Sequence, residues 1–321
     1  MAKARAITKR RKAVRNIRKI TQTMQLIATA RYAKTLQRAT AGKPYTQKIT
    51  EMIQNLSGVE AAQHPLLAIN EGVKQSVLLV ITSNRGLCGS YNSSVLRAAV
   101  EQRRKLVEAG VTPTLEMVGK KGLGYMRFLR YDVADSITDV EDKIAFSRVA
   151  AIADRYMHLY ETHQIARVDV VYMRFQSVAV QRAVVAPLLP IEPPKGDAAA
   201  TGGIAPSAGR GAAGGASSAS PGSDSAGVVP AAPRLKVNFE FSPPPEQLLA
   251  RLIPETVRIR LYQYFNDAIV SEQVSRMVAM KAATDAAGDM IKYLTREYNR
   301  ARQSQITLEL ADIVGGAEAV K

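Results

Sequence analysis

The sequence predicts an α/β domain that lies between two long helical arms. Three observations support this fold class: apolar residues recur at helical spacing in residues 1–57, a second long helical pattern covers residues 245–315, and strand-like and helix-like stretches alternate between them. Alternating strands and helices form a mostly parallel sheet that is covered by helices. With 321 residues, of which 46% are hydrophobic, the chain is long enough to bury such a core.

The first arm, residues 1–57, is predicted to be one long helix with a narrow apolar stripe. Its flanks are strongly basic, and no acidic residue occurs before Glu51. Such a stripe between charged flanks is typical of a two-helix coiled coil. A removable targeting peptide would be richer in serine and would not continue so far along the chain. The stripe consists of residues at intervals of three, four and seven: Ile7, Val14, Ile17, Ile20, Met24 and Ile27.

The middle of the chain, residues 74–192, is predicted to be a Rossmann-like α/β domain. "SVLLVITS" has the composition of a buried strand, the stretch from Asn92 to Ala109 that of a helix closed by Gly110, and "TLEMVG" that of a second strand. A β-branched run from Arg167 to Phe175 adds a further strand. One βαβ unit followed by another strand therefore predicts a single sheet between the helical arms.

The turn "GLCGSYN" follows the first strand, where a mononucleotide-binding unit carries its phosphate loop. A P-loop requires G-x-x-x-x-G-K-[ST], and a dinucleotide fold requires G-x-G-x-x-G. Gly86 and Gly89 are spaced as G-x-x-G, and "GKKG" from Gly119 to Gly122 lacks both the preceding glycine and the Ser or Thr after the lysine. We therefore expect tight strand-to-helix turns and no bound cofactor.

Catalytic and metal-binding patterns are also weak. His158 and His163 are five residues apart on a helix-like stretch, which separates them around the helix and gives poor metal geometry. Cys88 has no neighbouring histidine, so a packing role is favoured over that of a nucleophile. We expect no catalytic, cofactor-binding or metal-binding residues and no enzymatic activity of the chain itself.

Residues 193–237 are predicted to form a low-complexity flexible loop. Their centre, from residue 196 to residue 232, consists almost entirely of Gly, Ala, Ser and Pro. Such a composition buries too little apolar surface to offset the entropy of ordering the chain.

The second arm, residues 245–315, is predicted to be a helix that pairs with residues 1–57. Pro254 lies near its start, and Gly315 and Gly316 are expected to close it. Its middle, "MVAMKAATDAAGDM", is rich in alanine and glycine. Small residues permit a close approach of another helix, and alanine is also simply a good helix former. Both explanations stay open.

The charge of the chain predicts an anionic partner. Forty-four Lys and Arg against 28 Asp and Glu give a net charge of +16, which suits nucleic acid, a lipid surface or an acidic protein. A basic nucleic-acid-binding protein is the alternative function, although the chain has no Trp and only 6 Phe for base stacking. No apolar stretch approaches the roughly 18 residues that a membrane span requires, so we expect none.

Three segments together resemble the gamma subunit of F-type ATP synthase. They are "RNIRKITQTMQLIATAR" near the N-terminus, "ITSNRGLCGSYN" in the middle, and the C-terminal stretch from "SEQVSRMVAMKAATDAAGDM" to "GGAEAV". They occur in the family's order and cover both arms and much of the middle. The resemblance implies that the arms form a long antiparallel coiled coil, with the Rossmann-like α/β domain inserted between them as a foot.

The resemblance also implies the function and the partners. The chain would be the central rotor stalk that transmits torque between the membrane c-ring and the catalytic ring of three alpha and three beta subunits during proton-coupled ATP synthesis or hydrolysis. Its foot would meet the epsilon subunit and the c-ring. The chain would be a non-catalytic subunit, peripheral to the bacterial cell inner membrane on its cytoplasmic side, and no nucleic acid would bind.

The resemblance further implies partner contacts along the shaft. Met24 in "KITQTM" and Arg276 in "SEQVSRM" match residues that face beta-subunit loops at a similar height. If these two lie opposite each other, the chain start lies near Asn299, and a single helix continues to Lys321. Higher contacts are implied for the residues of "NRARQ" and "ITLEL", which are Arg302, Gln303, Thr307 and Glu309.

Two departures from the family pattern matter. The common turn "SDRGLCGG" is here "SNRGLCGS", with Asn84 and Ser90, which keeps the turn and removes a negative charge. The stretch implicated in gripping the c-ring has its counterpart either at Phe239-Glu240 or at Phe241-Ser242, so the contacts with the c-ring cannot be assigned.

Overall fold

The chain forms two long helices packed against a five-stranded α/β domain. A computed structural model describes residues 2–56, 65–70, 72–191 and 245–318. The predicted loop at residues 193–237 and the candidate c-ring residues at 239–242 lie outside this part. The helices are α1 (Ala2–Leu56), α2 (Tyr91–Glu108), α3 (Lys120–Phe128), α4 (Phe146–Glu161) and α5 (Pro245–Glu318); the strands are β1 (Gln75–Ile81), β2 (Thr112–Val118), β3 (Asp135–Ile137), β4 (Arg167–Phe175) and β5 (Gln181–Leu189).

The sheet has the strand order β3-β2-β1-β4-β5. The first four strands are parallel, and β5 runs antiparallel to β4 at the edge. Every residue of β1 after Gln75 is buried, as expected for a central strand that is covered on both faces. The predicted βαβ unit is thus confirmed, with β1 and β2 as its parallel strands.

Two hydrophobic cores lie on the two faces of the sheet. On one face, Leu79 and Val170 pack with Tyr156 of α4 and with Leu261 and Phe265 of α5. On the other face, the core lies between the sheet and helices α2 and α3, and it includes buried Cys88. The N-terminal part of α5, here called its lower part, is therefore in the core of the α/β domain from Ile253 to Ile269. The C-terminal, upper part of the same helix forms half of the shaft.

The upper shaft is an antiparallel pair of α1 and α5. Val14 packs with Ala287 and Leu294, whereas Ala39, farther along α1, packs with Val270 and Val274. Early residues of α1 thus meet late residues of α5, which confirms the antiparallel pairing. None of the helices among the described residues is long and apolar enough to cross a membrane.

The C-terminal end of α5 differs from the prediction. Gly315 and Gly316 were expected to close the helix, but it continues through both of them to Glu318. Glycine lowers helix propensity by only about 1 kcal/mol relative to alanine, a cost that two glycines in a long helix do not make prohibitive.

Candidate functional site

The carboxyl edge of the parallel sheet is where α/β folds of this kind bind ligands. Here the backbone N–H groups in the first turn of α3 donate hydrogen bonds to other groups of the same chain. The N–H of Lys120 donates to Oδ1 of Asn84 at 3.0 Å, that of Lys121 to the carbonyl oxygen of Ser83 at 3.1 Å, and that of Gly122 to Oγ1 of Thr82 at 3.1 Å. These three donors are therefore not available to a phosphate group.

The turn between β1 and α2 is also closed by internal hydrogen bonds. The backbone N–H of Ser83 donates to Oδ1 of Asn92 at 3.0 Å, and Nδ2 of Asn92 donates to Oγ of Ser83 at 2.8 Å and to Sγ of Cys88 at 3.2 Å. Burial raises the pKa of the Cys88 thiol above its ordinary value. Both findings agree with a packing role for this cysteine, because a nucleophilic cysteine requires a lowered pKa.

Helix α5 covers the same edge from outside. Arg276 is only 8% exposed, and its Nε and Nη2 point at the carbonyl oxygens of Gly86 and Arg85, at 3.4 Å and 3.5 Å. Its Nη2 also donates to Oε1 of Glu272 at 2.6 Å. A side chain at Gly89 would touch Cβ of Ala279 at 3.6 Å. Helix α5 thus packs directly on the turn after β1.

Among the described residues, no three His, Cys, Asp or Glu side chains are grouped so that they could hold a metal ion. His158 lies in the last turn of α4, and His163 follows the end of that helix in a left-handed conformation. Nδ1 of His163 lies 2.9 Å from Oδ1 of Asn70, so this histidine contacts the segment before β1.

The shaft presents the other candidate surface. Oγ1 of Thr284 donates to Oγ1 of Thr21 at 2.8 Å, and the guanidinium of Arg11 lies 5.0 Å from the ring centroid of Tyr298. Ala301 and Gln305 are half-buried, whereas every residue from 306 to 317 is exposed. The paired section therefore ends near Gln305, and a single exposed helix follows.

The expected pairing of Met24 with Arg276 is not found. Because Thr21 meets Thr284 in an antiparallel pair, Met24 lies at the level of Lys281, roughly 7 Å along the axis from Arg276. The prediction that the chain starts near Asn299 fails for the same reason: Arg11 is already at Tyr298, and the two helices stay together to about Gln305. The pairing register is shifted by more than one helical turn from the one expected.

The predicted contact residues fall into three environments. Met24 is half-buried at the helix pair, and Arg276 faces the α/β domain. Arg302 and Gln303 are exposed at the end of the paired section. Thr307 and Glu309 are exposed on the single helix, where Oγ1 of Thr307 donates to the carbonyl oxygen of Gln303 at 3.0 Å and Glu309 accepts from Gln305 at 2.9 Å.

Sequence reasoning missed a set of apolar side chains on the same single helix. They are exposed by 47 to 68%, because no other element in the described part of the chain covers this end of α5. A concentration of exposed apolar groups marks a surface that another molecule covers. The signal was present as an apolar residue at nearly every second position of "ITLELADIV". The residues are Ile306, Leu308, Leu310, Ile313 and Val314.

Comparison with known proteins identifies the relatives of the chain. The family model described as ATP synthase matches residues 3–320. The ATP synthase gamma chain of Rhodopirellula baltica is 43% identical over 323 residues, and that of Leptospira biflexa is 32% identical over 321 residues, each covering 100% of both chains. The ATP synthase gamma chain of Mycolicibacterium smegmatis is 35% identical over 319 residues, which cover 95% of this chain and 94% of the relative.

Solved structures show the same fold at low sequence identity. A rotor chain of the Euglena gracilis mitochondrial ATP synthase has a TM-score of 0.60 at 17% identity and covers 95% of this chain and 99% of that one. A chain from the central stalk and c-ring of the Tetrahymena thermophila mitochondrial ATP synthase has a TM-score of 0.52 at 21% identity and covers 82% and 99%. The arrangement of long paired helices and an α/β domain is thus shared with these chains.

Proposed function

The chain belongs to the family of ATP synthase gamma chains, and on this basis we propose that it is the central rotor stalk of an F-type ATP synthase. It transmits torque between the c-ring and the catalytic ring of three alpha and three beta subunits during proton-coupled ATP synthesis or hydrolysis. The observation that carries the proposal is the antiparallel pair of α1 and α5, which rises from the α/β domain and ends in a single helix with exposed apolar residues.

We propose that the chain is non-catalytic. Arg276 of α5 contacts the turn after β1, and the first N–H groups of α3 are bonded to Thr82, Ser83 and Asn84. This supports a scaffold role for the α/β domain, with nucleotides bound by the surrounding ring. Membership in the gamma chain family gives no support to the alternative of a nucleic-acid-binding protein.

We propose that the ring contacts the upper shaft at Met24, Arg302, Gln303, Thr307 and Glu309. The exposure of the last four residues, and the exposed apolar side chains beside them, support this assignment. Arg276 was expected to be a further contact. A partner would have to reach a guanidinium that is 8% exposed and already bonded to Glu272, so this residue has the least support.

We propose that the lower end of the molecule meets the epsilon subunit and the c-ring, which attaches the chain peripherally to the bacterial inner membrane on its cytoplasmic side. The Tetrahymena thermophila chain comes from a structure of a central stalk with a c-ring, and the similar gamma chains described above are bacterial. We propose that the functional division of the chain follows the segments 1–57, 74–192, 193–237 and 245–315.

The test is assembly with the ring subunits. The full chain, co-expressed with the alpha and beta subunits of its own organism, should co-purify with them at one copy per three alpha and three beta subunits. A bead attached to the α/β domain of this complex should rotate in one direction during ATP hydrolysis. A chain that stays monomeric beside correctly folded alpha and beta subunits would contradict the proposal.

Binding to nucleic acid is the matched control. At a net charge of +16 the chain will bind DNA weakly at low salt without any biological role, because phosphate contacts are electrostatic. We expect this binding to disappear at physiological salt and to show no preference among sequences. A defined sequence preference would support the alternative function instead.

A further inference from the structure

The connection between β3 and α4, residues 138–145, lies against both shaft helices. Its Asp142 contacts each of them: Oδ2 pairs with Nη1 of Arg31 on α1 at 2.5 Å, and Oδ1 accepts from Nε2 of Gln273 on α5 at 2.8 Å. The carbonyl oxygen of Asp142 also accepts from Nη1 of Arg38 at 3.3 Å. One residue of the α/β domain therefore holds both helices of the shaft.

The start of the same connection is fixed to the turn after β1 by Asn84. Its Nδ2 donates to the carbonyl oxygens of Thr138 at 3.0 Å and Val140 at 2.5 Å, while its Oδ1 accepts from the N–H of Lys120 at 3.0 Å. Because one side of the amide donates and the other accepts, its orientation is determined by its partners. An aspartate could make only the bond to Lys120, since a carboxylate has no N–H to donate.

The turn after β1 is in turn held by α5. The guanidinium of Arg276 points at the carbonyl oxygens of Arg85 and Gly86, and it is balanced by Glu272 one helical turn earlier. Burial raises the pKa of Glu272, and the neighbouring Arg276 opposes that shift. The contacts close a ring that runs from α1 through Asp142 and Asn84 to the turn after β1 and back to α5.

We infer that the 138–145 connection clamps the α/β domain to both shaft helices, and that Asn84 and Asp142 are positioning residues that set the torsional stiffness of this joint. The inference rests on the proposed function, because only a rotor loads the joint with torque. Apolar packing such as that of Phe265 and Leu261 fixes α5 in the core of the α/β domain, but the described residues of that core include none of α1. Charge-assisted hydrogen bonds have fixed geometry and therefore resist relative rotation.

The test measures stiffness in the assembled complex. The C-terminal end of α5 is locked to the ring by a disulfide between Leu310→Cys and a cysteine introduced into a ring subunit. A bead is attached to the α/β domain through Glu108→Cys. Cys88→Ser removes the native thiol. Thermal fluctuation of the bead angle then reports the torsional stiffness of the chain between these points. Asp142→Ala should increase the angular variance by about twofold or more, because it removes the charge-assisted contacts to α1 and α5.

Three further variants separate stiffness from folding. Asp142→Asn keeps an acceptor for Gln273 and loses the charge pair with Arg31, so its variance should be intermediate. Asn84→Asp should also raise the variance, since the two bonds to Thr138 and Val140 are lost. Asp142→Glu should restore part of the stiffness, because it keeps the carboxylate; a role in folding alone would not produce this ordered series.

The matched control is Asp139→Ala on the same connection. Asp139 pairs with Arg148 at 3.5 Å in an exposed bridge that does not involve the shaft, so its variance should equal that of the parent. Unchanged variance in Asp142→Ala and Asn84→Asp, or an equal increase in Asp139→Ala, would overturn the inference. If Asp142→Ala does not assemble, the Asn variant and Asn84→Asp decide the matter. A parent complex that does not rotate would instead refute the proposed function.

Discussion

At the scale of single residues, Thr82 explains the glycines that give this chain its resemblance to a phosphate loop. Gly119 has a φ of +93°, and a Cβ there would overlap the carbonyl oxygen of Thr82. A Cβ at Gly122 would overlap Oγ1 of Thr82 and Cε of Met117. The glycines therefore let the first turn of α3 pack on the end of β1, and the motif serves packing.

Gly122→Ala should destabilise the chain, whereas Gly124→Ala should not. At Gly122 the added methyl group displaces Thr82 and its hydrogen bond, at an expected cost of about 1 to 3 kcal/mol. Gly124 lies on the same helix with nothing within 4 Å, so alanine there should stabilise by up to about 1 kcal/mol through its helix propensity. Urea unfolding of the two purified variants measures both values. Equal unfolding midpoints would contradict the packing argument.

Cys88 should react slowly with iodoacetamide in the folded chain. Its side chain is buried and its pKa is raised, so at pH 8 the thiol is protonated to a greater extent than an ordinary thiol. The rate should rise as the pH passes above the ordinary thiol pKa, because only the thiolate reacts. Ser93→Cys, which adds an exposed thiol in the first turn of α2, should gain one rapidly labelled equivalent under the same conditions. Equally fast labelling of Cys88 would show an open, activated thiol.

At the scale of elements, the sequence was sufficient for the long helices and the central strands. β1 is a buried run of mainly aliphatic residues, and β4, whose valines lie at 168, 170 and 171, spans Arg167 to Phe175 as predicted. β3 has three residues, and β5 lies at the sheet edge with a mixed burial pattern and contains Pro187, so neither carries the periodic signal of a central strand. α3 was also missed, and only the end of α4, around His158, was recognised as helix-like; neither helix begins with a side chain that caps it.

The pairing register of the shaft could not be read from the sequence. Apolar residues recur along both arms, so several registers of the helix pair bury comparable stripes. Specific contacts decide among them: Thr21 with Thr284, and Arg11 with Tyr298. For the same reason the sequence could not show that Arg276 faces the α/β domain, since its partners are two backbone carbonyl groups almost two hundred residues away along the chain.

The small apolar cluster of the upper shaft should depend on Leu294. This residue is 4% exposed and packs with Val14 and Ala287, with Ile7 and Ile291 at the margin. Leu294→Ala should cost about 2 to 3 kcal/mol, the lower part of the range for core truncations, because few neighbours surround it. Met290→Ala, one turn away and 44% exposed, should cost less than about 1 kcal/mol. Urea unfolding followed by helical circular dichroism compares them, and similar losses would contradict the assigned pairing.

At the scale of the whole molecule, α5 joins two regions that are stabilised differently. Its lower part lies in a large core with the sheet and α4, and its upper part pairs with α1 through a cluster of five apolar residues. On the upper α1, basic residues share the exposed surface with Ile17, Ile20 and Ile27, which are 43 to 60% exposed and therefore do not form the buried stripe predicted for them. The end of α5 also exposes apolar groups. The upper shaft is thus the less stable region when the chain is isolated, and the apolar end gains the most from being covered by a partner.

The last prediction concerns Arg302 and Gln303, which are exposed where the paired section ends. They lie roughly 39 Å along the helix from Arg276 at a rise of 1.5 Å per residue, so this pair and Arg276 cannot contact the same loop of the ring. Hydrogen bonds from these side chains to ring loops would contribute about 1 to 3 kcal/mol each and would be exchanged as the shaft turns. Replacing both with Ala should therefore lower steady-state ATP hydrolysis and synthesis of the assembled enzyme by about threefold or more.

The matched control for this double variant is the pair Lys292→Ala and Arg296→Ala on the same helix. Both side chains are exposed, and Lys292 has only a surface bridge to Asp289 at 3.1 Å, so their removal changes the charge of the shaft with little effect on its packing. The double variant at 302 and 303 removes one positive charge and the control removes two, so a general electrostatic effect would be larger in the control. A larger loss at 302 and 303, with subunit stoichiometry confirmed, would support specific contacts. Equal losses, or a larger loss in the control, would refute them.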